Sequence, residues 1–317
     1  MTRQTFRVDN ALIQTAPQLF ASSRRTAVQL SLPGLTPFGP FDYWATLALY
    51  SLLDPERPGD PVQTTPTELL KTLDFAREVS DALAGYETFP SSAYELINDT
   101  LRRLFTVEVQ LKNFWSVKTG KAGRPKRQWV EYRGRILVSY QFTYAPGVTP
   151  AHMLAAGRRR NVNTATTATG EAGPPIWREV EGPRPVGIEY RLSPDLIKGL
   201  SGEPGNIGAT VLPVKIFNLR PTFAPYPIAT RLLVWACRQT AQTLTRYLDK
   251  LADELAVKGK DRRRNREAIL RGFVMLKTAG VIEGFTVEGD KITFAKAADW
   301  HFARAVEGDE DPPALSA

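Results

Sequence analysis

Ile269, Gly272, Phe273 and Leu276 recur at i, i+3, i+4 and i+7, a spacing that predicts a helix burying one narrow stripe. Arg264, Glu267 and Arg271 fall on another side of that helix, and Arg262, Arg263 and Arg266 crowd its first turns. Cations at a helix N-terminus oppose the macrodipole, so stability alone does not select them there. Gly280 stands where a C-cap is expected. Two β-like runs follow, Val281 to Val287 and Lys291 to Phe294, around a Gly289-Asp290 turn. Helix, tight stop and hairpin in this order predict the second half of a winged helix-turn-helix. Leu244, Leu248, Leu251 and Leu255 upstream predict one amphipathic helix over 244–255, placed to position the arginine-rich one.

The same grammar is legible earlier. FDYWATLALYSLL predicts an apolar helix from Phe41 to Leu53, and Thr65-Pro66-Thr67-Glu68 predicts a capped helix start. A second capping box, Ser92 to Glu95, opens a helix that buries Ala93, Ile97, Leu101 and Leu104 and turns Asn98 and Arg102 outward. Phe105 to Val117 and Gln128 to Tyr144 then alternate as a long hairpin. Residues 1–40 read as an irregular N-terminal segment with a short strand near Val28 and Leu30. Residues 146–185 are rich in Pro, Gly and Thr and read as a linker. A strand from Gly187 to Leu192, a short helix at Ser193-Pro194-Asp195 and a buried helix from Ile228 to Thr240 follow. The predicted class is α+β: winged-helix domains at 41–145 and 186–300, and an acidic, disordered tail at 301–317.

Charge sharpens this picture. The net charge of +8 suits a polyanionic partner, and its clustering matters more than its size. Lys258 to Lys277 holds eight basic residues against two acidic ones; Lys118 to Arg127 holds five and no acid. The candidate DNA contacts are Lys258, Lys260, Arg262, Arg263, Arg264, Arg266 and Arg271, with Arg able to pair bidentately with guanine or to grip phosphate. A second group is Lys118, Lys121, Arg124, Lys126 and Arg127, in a loop whose Gly123-Arg124-Pro125 resembles the centre of an AT-hook aimed at the minor groove. Asn98 and Arg102 complete the set, as adenine and guanine or phosphate contacts. A solvated, salt-bridged helix face is the alternative for each helical site, dimerisation is an equal alternative for the first-half helix, and backbone contact alone is the alternative for the loop.

The missing chemistry narrows the function. The sequence contains no phosphate-binding G-x-x-x-x-G-K-[ST] loop, and His152 and His301 stand far apart without a carboxylate cluster at ligand spacing. Cys237 is the single cysteine, which leaves no thiolate metal site or disulfide framework. No enzyme, cofactor or metal site is expected, and the lack of a signal peptide or apolar span predicts a cytoplasmic protein.

GLTPFGPFDYWATLALYSLL, TPTELLKTL and AYELINDTLRRLFTVEV in the first half, with IEYRLSPDLIKGL, YPIATRLLVWA and RNREAILRGFVMLKTAGVIEGFTV in the second, resemble the bacterial plasmid replication initiators of the Rep (RepA-type) family. The family's Arg-Leu-Tyr appears here as Arg231-Leu232-Leu233. The resemblance implies two winged-helix domains that bind repeated sequences at a replication origin and open an AT-rich flank. It further implies recruitment of a host initiator and helicase, and a monomer–dimer equilibrium. A winged-helix transcriptional regulator, a structural or RNA-binding protein held by charge alone, and a metal-dependent nuclease are the other readings.

Overall fold

The computed structural model describes residues 4–9, 12, 28–30, 38–76, 78–80, 86–119, 125–148, 159–161, 177–179, 184–200, 209–239, 241–257 and 261–300. The chain is α+β. The first half runs β1 (Thr5–Asp9), β2 (Val28–Leu30), α1 (Pro40–Ser51), β3 (Val62–Thr64), α2 (Pro66–Thr72), β4 (Glu78–Ser80), β5 (Tyr86–Thr88), α3 (Ser91–Thr106), β6 (Glu108–Thr119), β7 (Pro125–Gly134) and β8 (Leu137–Tyr144). Then come β9 (Arg159–Asn161), β10 (Trp177–Glu179), β11 (Pro185–Leu192), β12 (Ala209–Pro213), α4 (Arg220–Phe223), α5 (Pro227–Arg238), β13 (Thr243–Tyr247), α6 (Leu248–Glu254), α7 (Arg262–Thr278), β14 (Ile282–Glu288) and β15 (Lys291–Lys296).

Local signals place most helix ends. The Thr65 hydroxyl accepts from the Glu68 amide at 3.0 Å, with Pro66 as the first helical residue of α2. At the end of α2, Asp74 takes φ +52 while the Phe75 amide donates to the Leu70 carbonyl, a Schellman closure. The box expected at Ser92 does not form: the N-cap lies two residues earlier, at Pro90, with no side-chain cap.

Four expectations need correcting. The N-terminal segment holds a strand beyond the short one expected near Val28 and Leu30: that one forms as β2 and pairs with β6, but β1 also pairs antiparallel with β12 along its whole length. Phe6, Val8 and Leu212 are buried in that pairing, so short apolar alternation was enough to make a strand. The run from Gln128 to Tyr144 is two strands: β7 pairs with β6, whereas β8, beyond Arg135 and the buried Ile136, pairs with β11. Residues 244–255 are β13 followed by α6, since the alternating TLTRY takes the strand path and buries Leu244. Within residues 146–185, β9 and β10 form an antiparallel pair. The acidic tail lies outside the described residues.

The two halves share hydrogen bonds and core. β11, from the start of the second half, forms a sheet with β3 and β8 of the first, in the order β3-β11-β8. The Tyr190 hydroxyl on β11 donates to the Leu49 carbonyl at 2.6 Å, and the Tyr50 hydroxyl donates to the Leu196 carbonyl at 2.5 Å. Arg220 donates to the carbonyls of Leu73 and Asp74 and lies 4.1 Å over the Phe75 ring, tying α4 to the end of α2. Arg231 of α5 is buried near Tyr43 of α1; desolvation lowers its pKa to about 10, and the phenol opposes that shift. One hydrophobic cluster runs through both halves, from Phe6 and Trp44 to Phe273 and Trp300.

Inside the first half, α1 and α3 are bound by charge. Asp42 is buried and receives Arg103 through Nη2 at 2.8 Å and Nε at 3.1 Å, while its second oxygen accepts from the Gly39 amide at 2.6 Å. Arg103 itself is only 15% exposed. Removing one partner of such a pair strands the other in a desolvated site. Asp42→Ala is therefore expected to lower unfolding free energy by about 3 kcal/mol in urea titration. A change below about 1 kcal/mol would contradict a structural role for the pair.

Candidate nucleic-acid interface

The arginine-rich helix α7 is fixed by its apolar side. Ile269, Phe273 and Leu276 are fully buried, and Phe273 packs at 5.5 Å from Phe285 and 5.2 Å from Phe294 of the β14–β15 hairpin. Gly272 lies at the crossing with α5, where an added Cβ would stand 2.8 Å from Leu232 Cδ2 and 3.6 Å from Ala229 Cα. Its glycine is a matter of close approach rather than of backbone freedom. Helix α7 begins at Asp261, whose carboxylate accepts from the amides of Arg263 at 3.0 Å and Arg264 at 3.2 Å. This cap offsets part of the electrostatic cost of arginines in the first turn. The helix ends at Gly280, with φ +68 and the Val281 amide on the Leu276 carbonyl.

The hairpin continues the same arrangement. Gly289 takes φ +58 in the two-residue turn, and the sheet order is β13-β15-β14. The Leu248 amide donates to the Asp290 carbonyl at 2.8 Å, holding the turn to the start of α6. Buried Lys296 of β15 donates to the carbonyls of Cys237 at 3.2 Å and Gln239 at 2.8 Å, closing the end of α5 with a cation. Burial pushes the neighbouring Cys237 thiol up to about 12, as expected of a packed, unreactive cysteine.

The predicted arginines divide into two kinds. Side chains of Arg262, Arg263 and Arg264 are 84%, 88% and 85% exposed. Their ion pairs are loose or local: Arg262 to Asp249 at 4.0 Å, Arg263 to Glu267 at 3.0 Å, Arg264 to Asp261 at 3.4 Å. Exposed pairs of this sort are worth at most about 1 kcal/mol and yield readily to a phosphate or a base. Arg271 is exposed on the face of Arg264 and Glu267, and among the described residues it has no ion pair. Arg266 is different. It reaches Asp290 at 2.8 Å and Asp249 at 3.4 Å, locking α7 to both the hairpin turn and α6. Its guanidinium is held by those carboxylates, so its place is structural support rather than base contact.

The first-half candidates fare unevenly. Arg102 is exposed on α3, between the exposed acids Asp99 and Glu95 and the Asp42-bound Arg103. Asn98 is only partly exposed, and its Oδ1 is buried without a hydrogen-bond partner. Adenine pairing needs that oxygen and the amide nitrogen presented together, so Asn98 as it stands does not offer the expected contact. In the β6–β7 hairpin, Lys118 lies opposite Lys126, and Arg127 opposite Val117. Lys121, Arg124, Lys258 and Lys260 lie outside the described residues.

The sequence pattern missed three basic or aromatic residues at the hairpin end of this surface. Tyr247 is half exposed, with Lys250 Nζ 5.7 Å and Lys291 Nζ 5.3 Å from its ring centroid. The alternation of Thr243 to Tyr247 was the signal, masked by leucines at helical spacing. Among the described residues there is no group of acids, histidines and cysteine able to hold a metal, and no helix long and apolar enough to cross a membrane.

No family profile matches the chain, and no curated protein does. Two solved structures are similar to it over most of both chains. RctB domains 2-3 (RctB-155-483) share 14% identity, with 91% of this chain and 98% of that one covered and a TM-score of 0.45. The selenomethionine derivative of domain 2 and domain 3 of RctB shares 12% identity, with 90% and 97% covered and a TM-score of 0.48. At such similarity the function rests on the chain's own residues.

The close approach at Gly272 gives a direct check on how α7 is seated. Gly272→Val is expected to cost about 1–3 kcal/mol of stability by overpacking against Leu232 and Ala229, measured by thermal unfolding. Unchanged stability would mean that α7 does not lie against α5 at this distance.

Proposed function

We propose that this chain is a duplex-DNA-binding replication initiator that works without catalytic chemistry of its own. Helix α7 enters the major groove by its N-terminal turns, and the β14–β15 hairpin flanks it as a wing. One observation carries the reading. Three guanidinium groups project from a helix whose opposite side is immobilised by Ile269, Gly272 and Phe273, while Arg266 ties that helix to the adjacent turn. Rigid backbone with mobile cationic tips is what base-edge recognition needs: the helix fixes register, and each exposed arginine adjusts to its base or phosphate.

Arg264 and Arg271 share the outward face and are the assigned base readers; Arg262 and Arg263 are assigned to phosphates. The basic hairpin from Lys118 to Arg127 offers a second contact, on flanking AT-rich DNA. As a replication initiator, the protein binds repeated origin sequences in the cytoplasm, promotes opening of the adjacent AT-rich tract and recruits a host initiator and helicase. Its oligomeric state shifts between monomer and dimer. This biological setting draws on the resemblance of the capped helices and hairpins to the Rep family.

The test is footprinting on the DNA flanking the protein's coding sequence, at physiological salt, with wild type and two variants. Evenly spaced direct repeats beside an AT-rich tract are the expected protection. Arg264→Ala or Arg271→Ala is expected to cost about 1–3 kcal/mol at the specific site and to relax preference at one base pair. A single palindrome protected near the promoter would point instead to a transcriptional regulator. Diffuse protection with equal losses on all sequences would reduce both arginines to backbone contacts.

A further inference from the structure

The turn of the β14–β15 hairpin reads as acidic in sequence, Val287-Glu-Gly-Asp-Lys291, and its local composition argues against phosphate binding. The fold alters that balance. Asp290 is engaged by Arg266 at 2.8 Å, and Asp249 is shared between Arg266 at 3.4 Å and Arg262 at 4.0 Å. Each of these acids precedes a lysine, giving Asp249-Lys250 and Asp290-Lys291. In both dipeptides the carboxylate turns towards the arginines of α7 and the lysine turns to Tyr247, so the two ammonium groups converge on one half-exposed ring.

Strand geometry accounts for the convergence. Tyr247 ends β13 directly across from Lys291 in the β13–β15 register, and Lys250 lies in the first turn of α6, which follows Tyr247 without a break. The ring provides a cation–π surface that gathers the two ammonium groups without neutralising them. Lys250 and Lys291 are both exposed, and neither forms an ion pair among the described residues. Glu288, across from Lys291 on β14, is the exposed acid that remains nearby. Counting Lys250, Lys291, Arg262 and Arg266 against Asp249, Asp290 and Glu288 leaves a net +1, with the unpaired positive charge at the outer edge beside Tyr247.

We infer that Tyr247, Lys250 and Lys291 form a phosphate-binding clamp for the DNA backbone that runs past the N-terminal end of α7. The inference rests on the proposed reading of α7 as the groove-entering helix. The carboxylates of Asp249 and Asp290 link the clamp to that helix through Arg266, so it sits at a fixed offset from the base-reading arginines. It is a backbone contact and carries no sequence preference. The phenol hydroxyl is available to donate to a phosphate oxygen, while the lysines supply charge.

The test uses the full chain and a 30-base-pair duplex of mixed sequence, with the equilibrium constant measured at several salt concentrations. Two phosphate contacts contribute a slope of about 1.8 in the dependence of log K on log salt. The Lys250→Ala/Lys291→Ala double variant is expected to bind more weakly and to lose about that much slope, with thermal unfolding unchanged. Lys250→Arg/Lys291→Arg is expected to restore it, and Tyr247→Ala to weaken binding with a smaller change in slope. A wild-type slope retained by the double alanine variant would overturn the clamp while leaving the α7 reading intact. Wild-type protein that binds no duplex at all would overturn the reading on which the clamp rests.

Discussion

The seating of α7 is the constraint on which the rest of the interface depends. Gly272 brings the helix within 2.8 Å of a Leu232 methyl as judged from an added Cβ, and Phe273 fills the space between helix and hairpin. A bulkier residue at 272 would lift the helix from α5. It would also pull Arg266 from Asp249 and Asp290, and with it the relation between helix and turn. Apolar contact sets where α7 lies; the Arg266 network then sets how the hairpin end and α6 are oriented to it. The exposed guanidinium groups have no part in the packing, and are accordingly free for a partner.

Charge is used in three ways in this chain. The buried Asp42–Arg103 pair binds α1 to α3, where loss of one partner is costly. Arg220 and Lys296 close helix ends by donating to carbonyls of other segments. Arg262, Arg263 and Arg264 project from the surface with only weak intramolecular partners. Counting basic residues does not separate these uses; burial and hydrogen-bond partners do.

Much of the second half was legible in the sequence because local and tertiary signals agree there. The i, i+3, i+4, i+7 stripe of Ile269 to Leu276, the Gly280 stop and the Gly289 turn each demand one conformation, and the fold supplies it. What escaped was non-local. Leu244 and Leu248 are buried whether their segment is strand or helix, so spacing could not distinguish a β13–α6 corner from one long helix. The pairing of β1 with β12 spans about two hundred residues of sequence, and nothing in Thr5 to Asp9 names its partner. The site divided in the same way. Exposure of Arg264 followed from helical phase, whereas the capture of Arg266 required Asp249 and Asp290 to come together from separate elements.

In the proposed reading, the N-terminal turns of α7 lie in the major groove. Methylation interference on a bound origin fragment tests it most directly, because N7 of guanine faces the major groove and N3 of adenine the minor. Interference at guanine N7 within the protected repeat, lost at one base pair when Arg264 is replaced by alanine, is the predicted result. Interference confined to adenine N3, or a guanine pattern indifferent to both Arg264 and Arg271, would contradict it.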